Sequence, residues 1–296
     1  MVSFFRILLI GILLLVGGLV CTGSTFATMN EGELEIRYFH LEADKKSGDA
    51  IFLKSPDGKT MLIDSGSLRT GKQLVTKLQT LGISSVDYAV ATHPHHDHIG
   101  GFVNVMETVS IGHLLLPKLT HSTKAYAAFV KRVKEKDIGV SYIREGDRFN
   151  LGNDVEIEVL HPSENEVTKS VKEEELSTTD INNLSVVLKV TYNDNTFLFT
   201  SDIYKDQEKQ LMKKHQLSAD VLHAPHHGGG TSSSSDFIEA VDPTYTIIST
   251  NKLPRKSIVS RYVRKGSKVY ATSVNGSILL QSNGKTIKVV TEKKQD

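Results

Sequence analysis

The feature that most constrains the fold is a dense run of metal-binding side chains directly after an apolar strand. Residues 86–91 have the character of a buried strand, and the chain continues as His93-Pro94-His95-His96-Asp97-His98, then Gly100-Gly101. In such a turn His93 and His95 can face one metal ion, while Asp97 and His98, where the next helix begins, can serve a second. A surface accident or a helix-capping cluster is the alternative, but histidines of that kind are usually spaced singly. The run therefore predicts a metal centre.

Strands and helices alternate around this run. Residues 49–53 and 60–63 have the pattern of strands, and a Pro-Asp-Gly-Lys turn joins them, which predicts a β-hairpin. Residues 71–81 carry apolar side chains at helical spacing and stop at Gly82, a residue type that favours helix ends. In α/β folds ligands bind at the carboxyl ends of strands, so the histidine run stands where a site is expected. The sequence thus indicates an α/β protein.

Three later segments carry further predictions. Residues 163–179 are polar, rich in glutamate and without an apolar period, which predicts a surface loop or flexible excursion. Asp202 closes an apolar strand predicted at 196–200. Alone, an aspartate there caps the following helix as often as it binds a metal, but with the histidine run it becomes a predicted ligand. His226 and His227 precede three glycines, and we expect His226 to coordinate and His227 to contact substrate.

The charge balance gives no overall argument for a polyanionic partner. The formal net charge is +1, so the two signs cancel across the chain. Along the sequence the distribution is less even, because no acidic residue lies between Asp242 and Glu292, where several basic residues occur, among them Lys252 and Arg255. This pattern favours a solvated face, whose partner charges lie elsewhere in the fold, over a phosphate-binding surface.

The H-x-H-x-D-H run with Gly-Gly after it resembles the metallo-β-lactamase superfamily. The segment 62–66 is similar to that family's early strand-end motif, whose aspartate, here Asp64, orients a ligand histidine. The segment 199–202 is similar to the motif whose aspartate bridges two metals, and His226-His227-Gly228 is similar to the late histidine motif. The resemblance implies an α/β (α+β) protein with the metallo-β-lactamase αββα four-layer sandwich. It also implies one or two divalent metal ions, zinc or manganese.

More narrowly, the chain resembles the ComEC-like hydrolase domain of DNA-uptake proteins and its stand-alone secreted relatives. Motifs at 47–50, 56–59, 92–95, 182–188 and 225–228 carry this resemblance, which covers residues 34–290.

The departures from the family pattern bear on the metal and the substrate. Asn182 stands about where most superfamily members have a third histidine at the first ion, and an amide oxygen shifts the preference from zinc toward manganese. ComEC-like chains usually have lysine at His223 and aspartate at Ser273. They also have an Asn-x-Tyr-Gly-His-Pro segment where this chain has Asn251-Lys252-Leu253-Pro254.

The resemblance implies roles for individual residues. The implied metal ligands are His93, His95, Asp97, His98, Asp202 and His226. Catalytic roles fall to Asp97, Asp202 and His227, and contacts to the ligands or to substrate fall to Asp64, Asn182, Asn183 and His223. The implied reaction is hydrolysis by a water activated at the cations, with His227 or Asn183 donating to the developing negative charge.

We therefore expect a phosphodiesterase or nuclease that acts on DNA or another phosphodiester. Two alternatives stay open: a cell-wall phosphoester hydrolase of the phosphorylcholine type, and a non-catalytic binding module on the same fold. No protein partner can be inferred from the sequence.

The N-terminus has the three-part layout of a secretory signal. A basic start ends at Arg6, an apolar run covers 7–21, and small polar residues lead to Ala27. We therefore predict a signal peptide at 1–27, a hydrolase domain at 28–296 and a secreted protein. An uncleaved anchor facing outward is the alternative, because the apolar run is near the lower end of the roughly 17–25 residues that span a bilayer. No lipid-embedded domain is predicted beyond this segment.

Overall fold

The computed structural model describes residues 31–172 and 176–293. The predicted signal peptide at 1–27, with its cleavage or anchoring, lies outside these residues. In the part that is described, no helix combines the length and apolar character needed to cross a membrane.

The secondary structure alternates as the sequence indicates. The strands are β1 (Leu34–Tyr38), β2 (Ile51–Lys54), β3 (Thr60–Ile63), β4 (Ser85–Val90), β5 (Ser110–Leu116), β6 (Gly139–Tyr142), β7 (Arg148–Leu151), β8 (Val155–His161), β9 (Val187–Tyr192), β10 (Asn195–Phe199), β11 (Val221–His223), β12 (Tyr245–Ile248), β13 (Lys268–Ala271), β14 (Ile278–Ser282) and β15 (Ile287–Thr291). The helices are α1 (Gly71–Thr80), α2 (His96–Ile99), α3 (Phe102–Thr108), α4 (Lys124–Glu135), α5 (Glu164–Val171), α6 (Thr178–Asn183), α7 (Lys205–Lys214), α8 (Ser235–Val241), α9 (Lys256–Arg264) and α10 (Thr272–Asn275), with a 3₁₀ turn at Pro225–Gly228.

The strands form two mixed sheets. One has the order β15-β14-β1-β2-β3-β4-β5-β6 and the other the order β13-β12-β11-β10-β9-β8-β7. The predicted hairpin is confirmed, since β2 and β3 pair antiparallel. The run from β3 to β6 is parallel, and so is the run from β10 to β13.

Alternation along the strands builds a four-layer sandwich. In β2, Ile51 and Leu53 point into an apolar core between the two sheets, whereas Phe52 joins a second core beneath α1, α3 and α4. A third core packs the other sheet against α7, α8 and α9, with Leu222 from β11 and Tyr262 from α9. Strands that are covered on both faces need apolar residues on both, which explains their continuous apolar runs. The αββα architecture implied by the resemblance is confirmed.

The prediction of a loop at 163–179 is wrong for most of its length. Residues 164–171 form α5, and α6 begins at Thr178. Each helix starts with a capping box, in which a serine side chain accepts an N–H from the third helical residue and that residue's carboxylate accepts the serine N–H: Ser163 with Glu166, and Ser177 with Asp180. Capping, rather than an apolar stripe, defines these short helices.

One edge of the sandwich collects the ends of strands from both sheets. Asp64 follows β3, the histidine run follows β4, Asp202 follows β10, and His226 follows β11. The antiparallel strands β2 and β9 begin at this same edge, because their starts pair with the ends of β3 and β10. Loops that are distant in sequence therefore meet in space.

Candidate metal centre

His98 lies at the middle of this edge in a fixed orientation. Its Nδ1 is 2.7 Å from Asp64 Oδ2, and the ring is fully buried. Asp64 is itself held by Thr92, whose N–H and hydroxyl donate to its two oxygens at 2.8 and 2.7 Å. The second ring nitrogen of His98, Nε2, therefore points to Asp202 Oδ2, 3.4 Å away. The resemblance assigns Asp64 the role of orienting a ligand histidine, and the structure places it against His98, one of the predicted ligands.

His98 belongs to a cluster of four side chains that converge on one point. Ligand atoms of Asp49, His98, Asp202 and His227 all lie within 4.8 Å of one another. His227 Nε2 is 3.5 Å from Asp202 Oδ1 and 3.8 Å from Asp97 Oδ2. The four residues of this cluster come from four separate segments of the chain, so the arrangement is a product of the fold rather than of local sequence.

The His93 side of the edge is more open. His93 is buried, with Nε2 4.0 Å from Asp202 Oδ2 and Nδ1 beside the hydroxyls of Thr92 and Ser201 at 3.1 and 3.3 Å. The His95 ring packs edge-on against His93, with centroids 4.7 Å apart, and is only partly buried. On this side the imidazoles converge on Asp202 less tightly than around His98.

Asn182 is buried in the last turn of α6. Its Nδ2 donates to the Tyr204 hydroxyl at 2.9 Å. The Tyr204 ring stacks on His226, with centroids 4.9 Å apart. Asn183, in contrast, uses its side-chain oxygen to accept the Tyr204 N–H at 3.0 Å and its backbone oxygen to contact His161 at 2.6 Å. These contacts give Asn183 a role in holding loops together.

His226 and His227 are consecutive residues in the left-handed region, with φ of 51° and 54°. This uncommon conformation turns two neighbouring imidazoles toward the same carboxylate, because His226 Nε2 is 3.7 Å from Asp202 Oδ2. His226 Nδ1 is fixed by the Thr231 hydroxyl at 2.7 Å. The sequence predicted His226 as the ligand, but His227 is the member of the pair that belongs to the four-residue cluster.

Asp49 is a site residue that the sequence reasoning missed, although it lies in one of the motifs that carry the resemblance. Its Oδ1 is 3.1 Å from His227 Nδ1 and its Oδ2 is 3.3 Å from His223 Nε2. The preceding Gly48 has a φ of +81°, and a β-carbon there would lie 1.5 Å from the carbonyl oxygen of Asp97. The loop thus packs directly on the histidine run, and only glycine allows this approach.

Buried carboxylates and imidazoles set the charges of the metal-free centre. Burial opposes a charge on His227, but the Asp202 carboxylate, followed by Asp49, raises the pKa of its imidazole to about 9. Burial is likewise outweighed at His98, whose pKa the Asp202 and Asp64 carboxylates raise well above its usual value. The two imidazoles in turn hold the pKa of Asp202 well below its ordinary range despite burial. Without a cation, protons on histidine balance the carboxylates.

The two histidines on the other side behave differently. Burial, followed by the neighbouring His98, lowers the pKa of His95 to about 4. The same two causes hold the pKa of His93 well below its usual value. Both rings are therefore neutral near pH ~7, the form in which an imidazole binds a metal.

The donor set fits divalent cations. Several buried atoms at the centre have no hydrogen-bond partner within residues 31–172 and 176–293: His93 Nε2, His98 Nε2, His227 Nε2, Asp97 Oδ2, Asp202 Oδ1 and Asn182 Oδ1. Buried polar atoms are normally partnered, so such a group calls for a common partner. Imidazole nitrogens with carboxylate and amide oxygens suit zinc or manganese. The residues present can therefore hold one or two such ions.

Two curated proteins are similar in sequence to this chain. ComE operon protein 3 of Bacillus subtilis (strain 168) is 24% identical over 294 residues, which cover 90% of this chain and 36% of that protein. Competence protein ComA of Neisseria gonorrhoeae is 26% identical over 244 residues, which cover 79% of this chain and 31% of that protein. The chain thus spans about a third of the length of these curated relatives.

A solved structure and a family model complete the comparison. The metallo-β-lactamase fold protein YhfI from Bacillus subtilis has the same fold, with a TM-score of 0.51 at 14% identity over 84% of this chain and 99% of that chain. The model of the metallo-β-lactamase superfamily matches residues 43–250. The predicted resemblance is therefore confirmed, and the chain belongs to the metallo-β-lactamase superfamily.

Proposed function

We propose that the protein is an exported, metal-dependent phosphodiesterase or nuclease that acts on DNA or another phosphodiester. The observation that carries the proposal is the convergence of His93, His98, His226 and His227 on the two oxygens of Asp202. Divalent cations held there would activate water and neutralise charge on a phosphoryl oxygen. Hydrolysis is the reaction that such a centre serves without a nucleophilic side chain.

The surrounding residues hold the proposed ligands in place. Asp64 fixes the His98 ring so that Nε2 faces Asp202, and Asp49 does the same for His227 through Nδ1. We assign His227 to the ion near His98, and His226, whose side chain is 16% exposed, to the ion near His93 or to the substrate. Asn182 offers a buried amide oxygen on the His93 side.

A negatively charged substrate suits the entrance to this centre. Lys46 Nζ is 3.5 Å from Asp97 Oδ2, and its side chain is 53% exposed. A cation at this position attracts a phosphate more than it attracts a neutral amide. The similarity to a protein named for competence also supports a nucleic acid substrate.

The test uses the full chain, stripped of metal by a chelator and reloaded with Mn²⁺ or Zn²⁺. Substrates are single-stranded DNA, double-stranded DNA, bis(p-nitrophenyl) phosphate and p-nitrophenyl phosphorylcholine. We expect metal-dependent turnover of DNA or of the simple diester, and loss of both turnover and bound metal in Asp202→Ala. The matched control is Asp236→Ala, which removes an exposed aspartate in the first turn of α8.

Other results would redirect the assignment. Turnover of the phosphorylcholine ester alone would support a cell-wall phosphoester hydrolase. No turnover, with DNA binding that is equal in Asp202→Ala and in the unmodified chain, would support a binding module. Export is tested separately by cell fractionation, and the intact mass of the recovered protein shows whether residues 1–27 are removed by cleavage after Ala27.

A further inference from the structure

A cleft opens beside the metal centre and has a strongly basic lining. Its volume is about 300 Å³, and it lies between the 46–48 loop, the His226–His227 turn and the 250–255 loop. We define this as the basic cleft. We propose that it binds a second phosphate of a nucleic acid strand, one unit away from the phosphodiester at the metal centre. The proposal rests on the proposed function and deepens it, because it separates a polymer substrate from a single phosphodiester.

Three cations face the basic cleft and no carboxylate lines it. Lys46, Lys252 and Arg255 are its charged lining residues. Lys252 and Arg255 are exposed, and neither forms an ion pair with a carboxylate of the described chain. Arg255 precedes α9 without capping it, and a β-carbon at Gly230 would lie 2.9 Å from its Nη1. Its guanidinium thus lies beside the glycine segment that follows the His226–His227 turn.

Asn251 fixes the two walls of the cleft relative to each other. Its Nδ2 donates to the carbonyl oxygens of Ala43 and Lys45, and its Oδ1 accepts the N–H of Ser47 at 3.4 Å. The loop that carries Lys252 is thereby tied to the loop that carries Lys46. Preorganised charges lose less entropy on binding than charges on independent loops.

The cleft and the metal centre share a boundary. His226 and His227 line the cleft, and both rings also reach Asp202. A phosphate in the cleft therefore lies next to a phosphate at the centre, and a chain with one phosphate per unit can occupy both. Leu253, which is 81% exposed at the mouth, offers an apolar contact to a base. A positive groove that follows the phosphate backbone is one part of how proteins bind single strands.

The test measures binding apart from catalysis. A fluorescein-labelled oligodeoxythymidylate is titrated into the metal-free full chain, with chelator present, at several salt concentrations. The Lys252→Ala/Arg255→Ala double variant should bind more weakly, and its slope of log affinity against log salt should fall by about 0.7 for each phosphate that the variant no longer neutralises. The control is Lys285→Ala/Lys288→Ala, which removes the same charge from exposed sites outside the cleft.

A second measurement compares substrates with metal present. The ratio of kcat/KM for the oligonucleotide to kcat/KM for bis(p-nitrophenyl) phosphate should fall in the cleft variant and stay constant in the control. A salt slope like that of the control, or an equal loss for both substrates, would overturn the proposal. Tighter binding of a base-free poly(glycerol phosphate) would overturn the assignment to nucleic acid. If the cleft variant changed the slope of log affinity against log salt but the protein had no hydrolytic activity, phosphate binding in the cleft would stand. The proposed function would be refuted instead.

Discussion

The His98 side and the His93 side of the metal centre differ in how firmly their donor groups are held. On the His98 side, the imidazole is clamped by Asp64, which two bonds from Thr92 hold in turn, and four ligand groups lie within 4.8 Å. On the His93 side, Nε2 is 4.0 Å from Asp202 and His95 is partly exposed. One position is preformed, and the other has a looser and more exposed set of donors.

This difference indicates that two ions would bind with unequal affinity. A preformed set of buried donors loses little entropy when a cation arrives, and its carboxylates already demand positive charge. The donors on the His93 side are held less firmly, because His93 Nε2 is 4.0 Å from Asp202 and the His95 ring is partly exposed. We expect the first equivalent of metal to bind beside His98, and substitutions on each side, together with pH, can test this expectation.

The largest effect should separate His98→Ala from His95→Ala. Removal of His98 takes a ring from the preformed cluster and leaves Asp64 without its imidazole partner, so we expect loss of both ions and of hydrolysis. Removal of His95 should spare the ion beside His98 while abolishing hydrolysis. Metal content after dialysis, measured by mass spectrometry, distinguishes them, and thermal melts check that both variants fold. Equal metal loss in the two variants would contradict the asymmetry.

Metal binding should strengthen with pH. A cation needs neutral imidazole, and His227 has a pKa of about 9 in the metal-free protein, so binding releases its proton. Apparent affinity should rise roughly tenfold per pH unit for each proton released, and level off above about pH 9. Calorimetry in two buffers of different ionisation enthalpy counts the protons. A pH-independent affinity would mean that protonated histidines are not the groups displaced.

The same groups set the stability of the metal-free fold. The raised pKa of His227 contributes stability that is fully present below about pH 6.5 and is lost as pH rises through about 9. The lowered pKa of Asp202 contributes stability that is present above about pH 4 and is lost as pH falls through the depressed value. Denaturant midpoints of the chelated protein should therefore decline on both sides of this window.

Asp64→Asn should weaken metal binding about 10- to 100-fold, because the His98 ring loses its carboxylate partner but keeps its place in the core. Asp87→Asn is a matched control. Asp87 also accepts the N–H and hydroxyl of a threonine, Thr60, but contacts no residue of the centre. Titration with Mn²⁺ or Zn²⁺ and a competing chelator gives the two affinities. A similar loss in both variants would assign the effect to general destabilisation.

The smallest effect is expected for Tyr204→Phe. The variant leaves the buried Asn182 amide without its acceptor, which costs about 1–3 kcal/mol of folding stability. Because the family resemblance assigns Asn182 to the ion at His93, the second equivalent of metal should bind more weakly while the first keeps its affinity. Urea denaturation and a two-site metal titration measure the two effects. If the first equivalent of metal bound more weakly in this variant, Tyr204 would act on the His98 side, contrary to this prediction.

Much of the fold can be predicted from sequence because burial leaves a direct signature. Most core-facing strand positions are apolar, and α1 shows its helical period, although β1 buries Glu35 and Arg37 as well. The segment 163–179 escapes this reasoning because its helices are short and bury little, with Val167 packed against Leu119 and Leu184. The Ser-x-x-Glu and Ser-x-x-Asp capping patterns are the signal that could have revealed them.

The site is predictable only where its residues follow strands in recognisable motifs. Asp64, Asp202 and the histidine run belong to this class. Asp49 precedes β2 rather than following a strand, and its position beside His227 depends on the antiparallel pairing of Ile51 with Ile63. The order of residues in the sequence does not show which residues of two strands are paired. The directions of the His226 and His227 rings likewise depend on the left-handed backbone conformation of both residues, which the sequence does not show.

Contacts at this edge also join the first sheet's loops to those of the second. The Thr92 and Ser201 hydroxyls lie 2.7 Å apart, and Asp49 contacts His227. A ligand that binds between these loops binds only the folded chain, so it stabilises the fold and raises the melting temperature. A rise in melting temperature therefore reports that the site is occupied. Small libraries of metals and phosphate esters can therefore be ranked by thermal shift before any substrate has been identified.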